Sequence, residues 1–569
     1  MSNQLYSGQG RDINVPAGQS LAVSSITGTY TATIIAGAGI GTALATDSTG
    51  GATYGPYSGG VTVRLKAGEG ALLDYEAAVN PVLNYAGPAR LGYSAAGDTS
   101  SVVDAGGKKS PIGRDANYLA SVFPQPSRQM SKIGSPGVMV CDFQTGWSIG
   151  SGAPVLTAGY TGYDANGVVT GIQSRTGIPT MLKVVPSSDA SEEIQNTTFT
   201  PIALNGKFGL WVYVQAQPGF QAGVGTGTGT IGVLLSTDAV SFSNALQISF
   251  IATGFREGWN FLKYDENAQA TVGHPAGINR VMNGTGANGN IIANTVKRMK
   301  IITSTLNGAT VYLDSMWTGF TSRTAIVLGS DSGGIDAINI ALPTFQANGW
   351  QNKGYLAIAR QVWASGSKIV TDWSVNRTYV DTMYAAGFEV LNHSTNHLAN
   401  GLITNAGEIA YEVDACRGWS LAQGWVRGSN FYAAPLFSTS RLAIKVINDL
   451  GFLMQRNARK YNIARTPWGI DNPDYLGSID MGQASQGWQQ FSTIKAAIDK
   501  CVFYGDSLWP FWHSITELGD PGTGEGLTGD DLLIYKSNWL AVMAYIKQLE
   551  SAGTIDVLSP TEFYYGSAG

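Results

Sequence analysis

Near Thr324 the apolar pattern of this chain changes its period, and that change decides what the chain can fold into. Upstream, β-prone runs alternate with turns rich in Gly, Asn and Thr. Downstream, apolar runs of strand length alternate with segments whose apolar residues recur every three to four positions. Residues 324–331 (TAIVLGSD) read as a buried strand, and residues 335–349 as a helix ending at Gly349. TYVDTMYAAG then leads into FEVLNHS, RLAIKVINDLG into FLMQRNA, and WLAVMAYIKQLESAG into TIDVLSP. Three times a helical run closes on a glycine (Gly387, Gly451, Gly553) just before an apolar strand, which is the chemistry of a helix C-terminus. Repeated βα units imply a parallel sheet, open or closed into a barrel, and about 245 residues suffice for a barrel. Chemistry is then expected at the C-terminal ends of its strands.

Upstream of the change the reading is all-β. Residues 1–83 hold SLAVSSI, YTATIIAGAG, GVTVRLKAG and ALLDYEA, strands of a small sandwich or barrel. Residues 84–134 are Gly-, Ser-, Pro- and Asp-rich and read as a linker. Residues 135–322 carry seven strand patterns, from GVMVCDF to ATVYLDSMWTGF, expected to form a jelly-roll-like sandwich that is a candidate for carbohydrate binding. Residues 323–569 are the α/β domain, expected to be a distorted (β/α) barrel. In the sandwich Trp211, Trp259 and Trp317 are candidates to stack on sugar rings, although tryptophans there are more often core.

Charged residues are only 13% of the chain and the net charge is −5, which argues against nucleic-acid binding or an anionic-membrane surface. No apolar run of eighteen residues predicts a membrane span. Cys141, Cys416 and Cys501 lie far apart without C-x-x-C spacing and are expected to be free buried thiols. The first residues, MSNQLYSGQG, show neither a basic nor an apolar export segment.

Histidine is scarce: His274, His393, His397 and His513 are the four in the chain. LNHSTNHL places His393 and His397 four apart, directly after a strand. If the chain turns helical there, with Ser394 or Thr395 as cap, both imidazoles share one face and bind one metal. His274, in VGHPAGINR, is expected in a loop of the sandwich without a role. Two decoys fall away. Gly227-Thr-Gly229-Thr-Ile-Gly232 fits G-x-G-x-x-G, but a β-prone run follows it instead of a helix. Asp331-Ser332-Gly333-Gly334 fits the D-S-G-G of trypsin-like proteases, but it ends the first strand of a βα domain.

His393-Ser-Thr-Asn-His397 matches in full the H-[ST]-x-x-H motif of the polysaccharide deacetylases, carbohydrate esterase family four, which this region resembles over about 245 residues. Gly329-Ser-Asp331-Ser332-Gly333 stands where that family has T-F-D-D-G. Tyr432-Ala-Ala-Pro435-Leu resembles its third motif in a form without Arg, and Leu508-Trp-Pro-Phe-Trp-His513 its late histidine motif. The resemblance implies a general base at Asp331, a divalent metal (zinc first) on His393 and His397, and a general acid at His513. It also implies an acetylated sugar as substrate, with Tyr432, Pro435, Trp468, Trp509 and Trp512 around it. The departure is Ser332, where the family has a metal-binding carboxylate. Either metal affinity is lowered, or Asp331 turns to the metal, or Asp336 supplies the carboxylate.

Two β-rich modules ahead of such a domain resemble phage tail fibres and tailspikes. The expectation is a homotrimer in the virion tail, made in the host cytoplasm, joined to other tail proteins and acting on a bacterial surface polysaccharide. A fibre using the groove as a lectin without catalysis, and a bacterial cell-wall deacetylase, are the alternatives.

Overall fold

The structure is a computed structural model. It describes the strands of residues 1–134 and residues 135–565, except 164–170, 199, 217–228, 243–244, 252–254, 267–277, 284–294, 332–333, 361–372, 460–462, 467–468, 471, 485–486, 529 and 531. His274, Ser332 and Trp468 lie outside the described residues. The chain divides into two compact units, Met1–Gly87 with Asn405–Tyr411, and Pro88–Thr404 with Glu412–Gly569.

In the first unit the β-prone runs form two four-stranded antiparallel sheets. One orders Asn3–Tyr6, Leu72–Ala77, Leu21–Thr27 and Gly51–Tyr54; the other orders Gly10–Val15, Val61–Ala67, Tyr30–Gly37 and Ala43–Ser48.

The second unit opens with a sandwich of two six-stranded antiparallel sheets. The central strands are Lys207–Gln215 and Thr310–Thr318 in one sheet, Thr230–Ser236 and Arg298–Ser304 in the other. Period-two alternation sends Leu210, Val212 and Val214 inward to meet Ile231, Val233 and Leu235 in one shared core. Each such side chain contributes about 1.5–3 kcal/mol on burial. Gly232, the last glycine of the rejected nucleotide motif, sits inside the strand Thr230–Ser236. Trp211 is fully buried, and Trp259 and Trp317 pack half-buried against its cluster.

Beyond Thr324 seven strands close into a parallel barrel. We label them β1 (Gly329–Ser330), β2 (Tyr355–Ile358), β3 (Glu389–Asn392), β4 (Phe431–Ala433), β5 (Met454–Arg459), β6 (Leu476–Asp480) and β7 (Trp509–Trp512). They pair in sequence order, and β7 closes the ring on β1. Alternate residues of each strand part company, as a closed sheet requires. Tyr355, Ala357, Trp509 and Phe511 fill the interior, whereas Leu356, Ile358 and Trp512 face the helices outside. Gly387 and Gly451 adopt φ of 104° and 81°, the left-handed geometry expected just past a helix end.

Two expectations change here. The run 324–331 is not one strand: Thr324–Ile326 leaves the ring to pair with Ile555–Val557, and only Gly329–Ser330 enters the barrel. The helix predicted over 335–349 begins with a wider turn at Ala337–Ala341 before Leu342–Ala347 tightens to α geometry. The sandwich is tied to the barrel by buried charge. Lys263 pairs with Asp506, and its Nζ donates to Tyr504 O at 2.8 Å. At the surface Arg441 adds a second tie, holding Glu257 with two Nε contacts of 2.7 and 2.8 Å. The three cysteines are free, with Cys416 and Cys501 buried.

Candidate active site

Five polar groups arise at or beside the C-terminal ends of barrel strands: Asp331 after β1, His393 after β3, Arg456 within β5, Asp480 ending β6 and His513 after β7. Asp331 continues the ladder, its amide donating to Trp512 O at 2.9 Å. One carboxylate oxygen, Oδ2, forms an ion pair with Arg456, both side chains being almost wholly buried. Arg456 also donates to the Tyr355 hydroxyl at 2.9 Å and lies 4.2 Å over the Phe511 ring. The other oxygen of Asp331, Oδ1, is buried and has no hydrogen-bond partner among the described residues. Burial pushes the Asp331 pKa up, but the Arg456 guanidinium and the nearby histidines outweigh it and hold the carboxyl below its usual range.

His393 and His397 converge, though not by the predicted helix. The segment after β3 is irregular, with Ser394 at φ 68° and His397 at φ 55°. Neither Ser394 nor Thr395 caps a helix. Asn392 Oδ1 accepts the Ser394 amide at 2.9 Å, and Thr395 Oγ1 donates to Glu412 O at 2.9 Å. Glu412 accepts from the Asn396 amide at 2.8 Å as well, so one helix holds the whole loop. Left-handed φ at non-glycine residues is strained backbone, and here it turns two imidazoles to one point. His393 Nδ1 donates to Ala433 O at 2.7 Å, which fixes Nε2 as the free lone pair. The two Nε2 atoms stand 3.1 Å apart. Ligands of one tetrahedral zinc at ~2.1 Å lie about 3.4 Å apart, so the pair is spaced to share a cation. Burial lowers the His393 pKa to about 3 and lowers that of His397, keeping both neutral as ligands must be.

Two neutral imidazoles 3.1 Å apart are a donor pair that fits a divalent cation, and the unpartnered Asp331 oxygen is a third donor of suitable chemistry. Among the described residues no group of three or more His, Cys, Asp or Glu is gathered tightly enough to count as an ion cluster. Asp336 does not join: its Oδ2 accepts the Ile515 amide at 3.0 Å, and burial raises its pKa to about 6.

His513 stands 3.5 Å from Asp480 through Nδ1. Burial lowers its pKa, but Asp480, and more weakly Asp331, reverse the sign and raise it. The Asp331 carboxylate thus shares its electrostatic surroundings with all three histidines.

The aromatic residues expected around a sugar lie elsewhere. Trp512 packs 5.2 Å from Trp539, Trp509 5.4 Å from Tyr355, and Tyr432 6.0 Å from Phe452, all within the core. The Tyr432 hydroxyl accepts from Asn400 Nδ2 at 2.5 Å. A stacking role for these three is therefore corrected: inward or helix-facing parity on short buried strands leaves no ring face for a ligand. Pro435 is buried too, and the chain after it passes Leu436, 63% exposed, at φ 55°. Leu398 and Leu402, 38% and 81% exposed, flank the histidine loop, so aliphatic side chains occupy this rim.

Sequence reasoning missed Arg456 and Asp480. The signal was present: FLMQRNA is a buried parallel strand, which should read as an apolar run, yet it carries Gln455, Arg456 and Asn457 in its centre. Polar groups there must be paired, and Arg456 is paired to the catalytic candidate.

No family model matches the chain, and no curated protein matches it. Among solved structures it is similar to a family 4 carbohydrate esterase from Streptomyces lividans in complex with acetate, at 14% identity and TM-score 0.26, over 43% of this chain and 97% of that one. It is similar to a carbohydrate esterase family 4 pseudoenzyme from Bacillus anthracis, at 13% identity and TM-score 0.27, over 42% and 65% of the two chains. It is also similar to a deacetylase from Streptococcus pyogenes in complex with acetate, at 15% identity and TM-score 0.19. That match covers 22% of this chain and about half, 52%, of the Streptococcus protein.

Proposed function

We propose that the barrel removes acetyl groups from a polysaccharide by metal-dependent hydrolysis. One observation carries the reading: a buried, ionised Asp331 with one oxygen free lies in electrostatic reach of a converging histidine pair and of His513. The residues we assign as base, cation ligands and acid all follow barrel strands at their C-terminal ends. The ion expected at His393 and His397, with Asp331 Oδ1 beside it, would supply polarisation of a water and of the acetyl carbonyl. Asp331, kept ionised by Arg456, takes the proton of the attacking water. His513, whose pKa Asp480 raises against the effect of burial, gives a proton to the departing amine or alkoxide. The hydroxyl of water joins the acetyl carbon as the C–N or C–O bond breaks, giving acetic acid and the free amine or hydroxyl, and the proton taken by Asp331 replaces, through solvent, the one given by His513.

A second reading, glycan binding without turnover, is favoured by Arg456. A fixed buried cation ties up half of Asp331 and stands beside the cation site, which weakens metal affinity by Coulomb repulsion. Metal content measured with acetate release separates the two. About one divalent ion per chain, lost with acetate release in His393→Ala/His397→Ala, is the expected result. Wild-type protein with neither metal nor acetate release overturns catalysis.

The two β-rich regions ahead of the barrel motivate the assembly we propose: a tail fibre or tailspike, trimeric, presenting the barrel to a bacterial surface polysaccharide. Light scattering of the full chain at three times 59.9 kDa is expected; a monomer removes that assembly.

A further inference from the structure

The outer face of one sandwich sheet carries a continuous ribbon of aromatic rings. Tyr160 and Tyr312 lie 4.9 Å apart by ring centroid, Tyr312 and Tyr213 6.0 Å, and Tyr213 and Trp259 5.5 Å. The ribbon continues to Trp211 at 6.1 Å and from there to Phe261 at 4.9 Å. Strand parity explains it: Leu210, Val212 and Val214 point into the sandwich core, so Trp211 and Tyr213 must point out. Register then sets Trp259 opposite Tyr213 and Phe261 opposite Trp211.

The ribbon has two halves of different chemistry. At one end Trp211, Phe261 and Phe320 are buried, at 0%, 5% and 6% exposure. Barrel segments meet the sandwich there: Lys263, two residues beyond Phe261, reaches Tyr504 O, and Arg175, 5.5 Å over Trp211, reaches Ile470 O at 2.6 Å. At the other end Tyr160, Tyr213 and Trp259 are only half-buried, every ring carries a polar tip, and polar side chains stand among them. The Tyr312 hydroxyl donates to Gln215 Oε1 at 3.0 Å, and Lys183 Nζ lies 5.7 Å over the Tyr160 ring. A face made only to be covered would continue in phenylalanine. Rings with hydroxyl and indole N–H at their rims, next to an amide and an ammonium, suit a ligand with flat C–H faces edged by hydroxyls.

We propose that this open half binds the pyranose rings of a polysaccharide, with Lys183 favouring an acidic chain over a neutral one. The C–H face of each sugar lies on Tyr213 and Trp259, while Gln215 and the tyrosine hydroxyls take its ring hydroxyls. Lys183 is the charge complement for a carboxylate on a neighbouring sugar. The face lies in the same compact unit as the barrel and is continuous with the surface the barrel covers, so a chain held here is anchored at a fixed place relative to the hydrolytic end. The proposal does not depend on turnover.

The test is calorimetric titration of the full chain with a hyaluronan decasaccharide and with chitohexaose. Expected is a binding event that persists in His393→Ala/His397→Ala and weakens about tenfold or more in Tyr213→Ala/Trp259→Ala. Lys183→Ala should weaken hyaluronan and leave chitohexaose unchanged. Gln215→Ala, an exposed substitution that leaves the rings in place, provides the reading if the ring variant does not fold; it should weaken both ligands. Binding of neither probe, or binding equal in wild type and in every folded sandwich variant, overturns the proposal. It is equally overturned if the ring variant dissociates an oligomer in size-exclusion chromatography while binding stays unchanged, because the face is then an interface between copies.

Discussion

The apolar cluster of the sandwich and the C-terminal end of the barrel bury their side chains by different means. The cluster between the two sandwich sheets is aliphatic and aromatic, with period-two strands that send Leu210, Val212, Ile231 and Val233 into apolar contact. The barrel end buries Asp331, Arg456 and His393 at or below 8% exposure, and adds backbone strain in two neighbouring loops, at Ser394 and His397, then at Leu436 and Phe437. Apolar burial stabilises without conditions. Buried charge stabilises only while its partner stays, and strain only costs. Charge and strain gathered around two converging histidines are what the proposed chemistry at that end requires.

The sharpest way to break this contrast is to remove one partner. Arg456→Ala leaves Asp331 buried and unpaired, and is expected to cost about 3–5 kcal/mol in urea unfolding. Because Asp331 then loses its main stabilising cation, its pKa rises, and any activity it supports should fade from the acid side at higher pH than in wild type. A loss under ~1 kcal/mol would show that the pair is solvated and the contrast false. Leu210→Ala in the sandwich is the matched control. It is expected to cost about 2–5 kcal/mol through the cavity it leaves, with no change in activity per folded molecule. Should it alter the pH profile, the two regions are coupled and cannot be contrasted.

What was legible in the sequence follows the range of the interactions. The switch of period near Thr324, the helix-ending glycines and the four-residue spacing of His393 and His397 are local patterns, and strands, left-handed caps and the converging imidazoles stand where those patterns lie. The loop that aims the histidines was not legible, because its conformation is set by Glu412, sixteen residues away from Asn396, and not by helix propensity. Likewise the parity of Trp509 and Trp512 depends on which way β7 enters a closed ring, and no single strand of four residues declares that. The interior of β5 was the missed opportunity: an arginine amid a buried strand demands a partner, and Asp331 is the carboxylate that meets it.

A smaller effect sharpens the acid's half of the site. Asp480→Asn removes the charge that raises the His513 pKa, so burial should then dominate and lower it. The proton donation proposed for His513 requires its protonated form, present below its pKa and lost as pH rises through it. The alkaline limb of the activity profile is therefore expected to move to lower pH, with the acid limb in place. An unmoved alkaline limb would assign it to another group.

The smallest effect at neutral pH concerns the opposite end of the barrel, where a buried charge serves structure alone. Glu389 opens β3, is 3% exposed, and accepts the Thr561 amide at 3.1 and 3.2 Å, tying the last helix, Pro560–Tyr565, to the barrel. Burial raises its pKa from 4.5 to about 7. A folded-state pKa above the unfolded one means that the contribution is fully present below pH 4.5 and is lost as pH rises through about 7. Across that window one such group changes stability by at most ~1.4 kcal/mol per pH unit. Glu389→Gln keeps an acceptor for the Thr561 amide and cannot ionise, so its urea midpoint should fall less than that of wild type between pH 5 and 8, with the two curves close below pH 5. Asp336 titrates in the same direction in both proteins, so the difference between the curves isolates Glu389. Parallel curves would mean that Glu389 is already ionised in its socket, and that this end of the barrel tolerates unpaired charge as well as the end that carries the histidines.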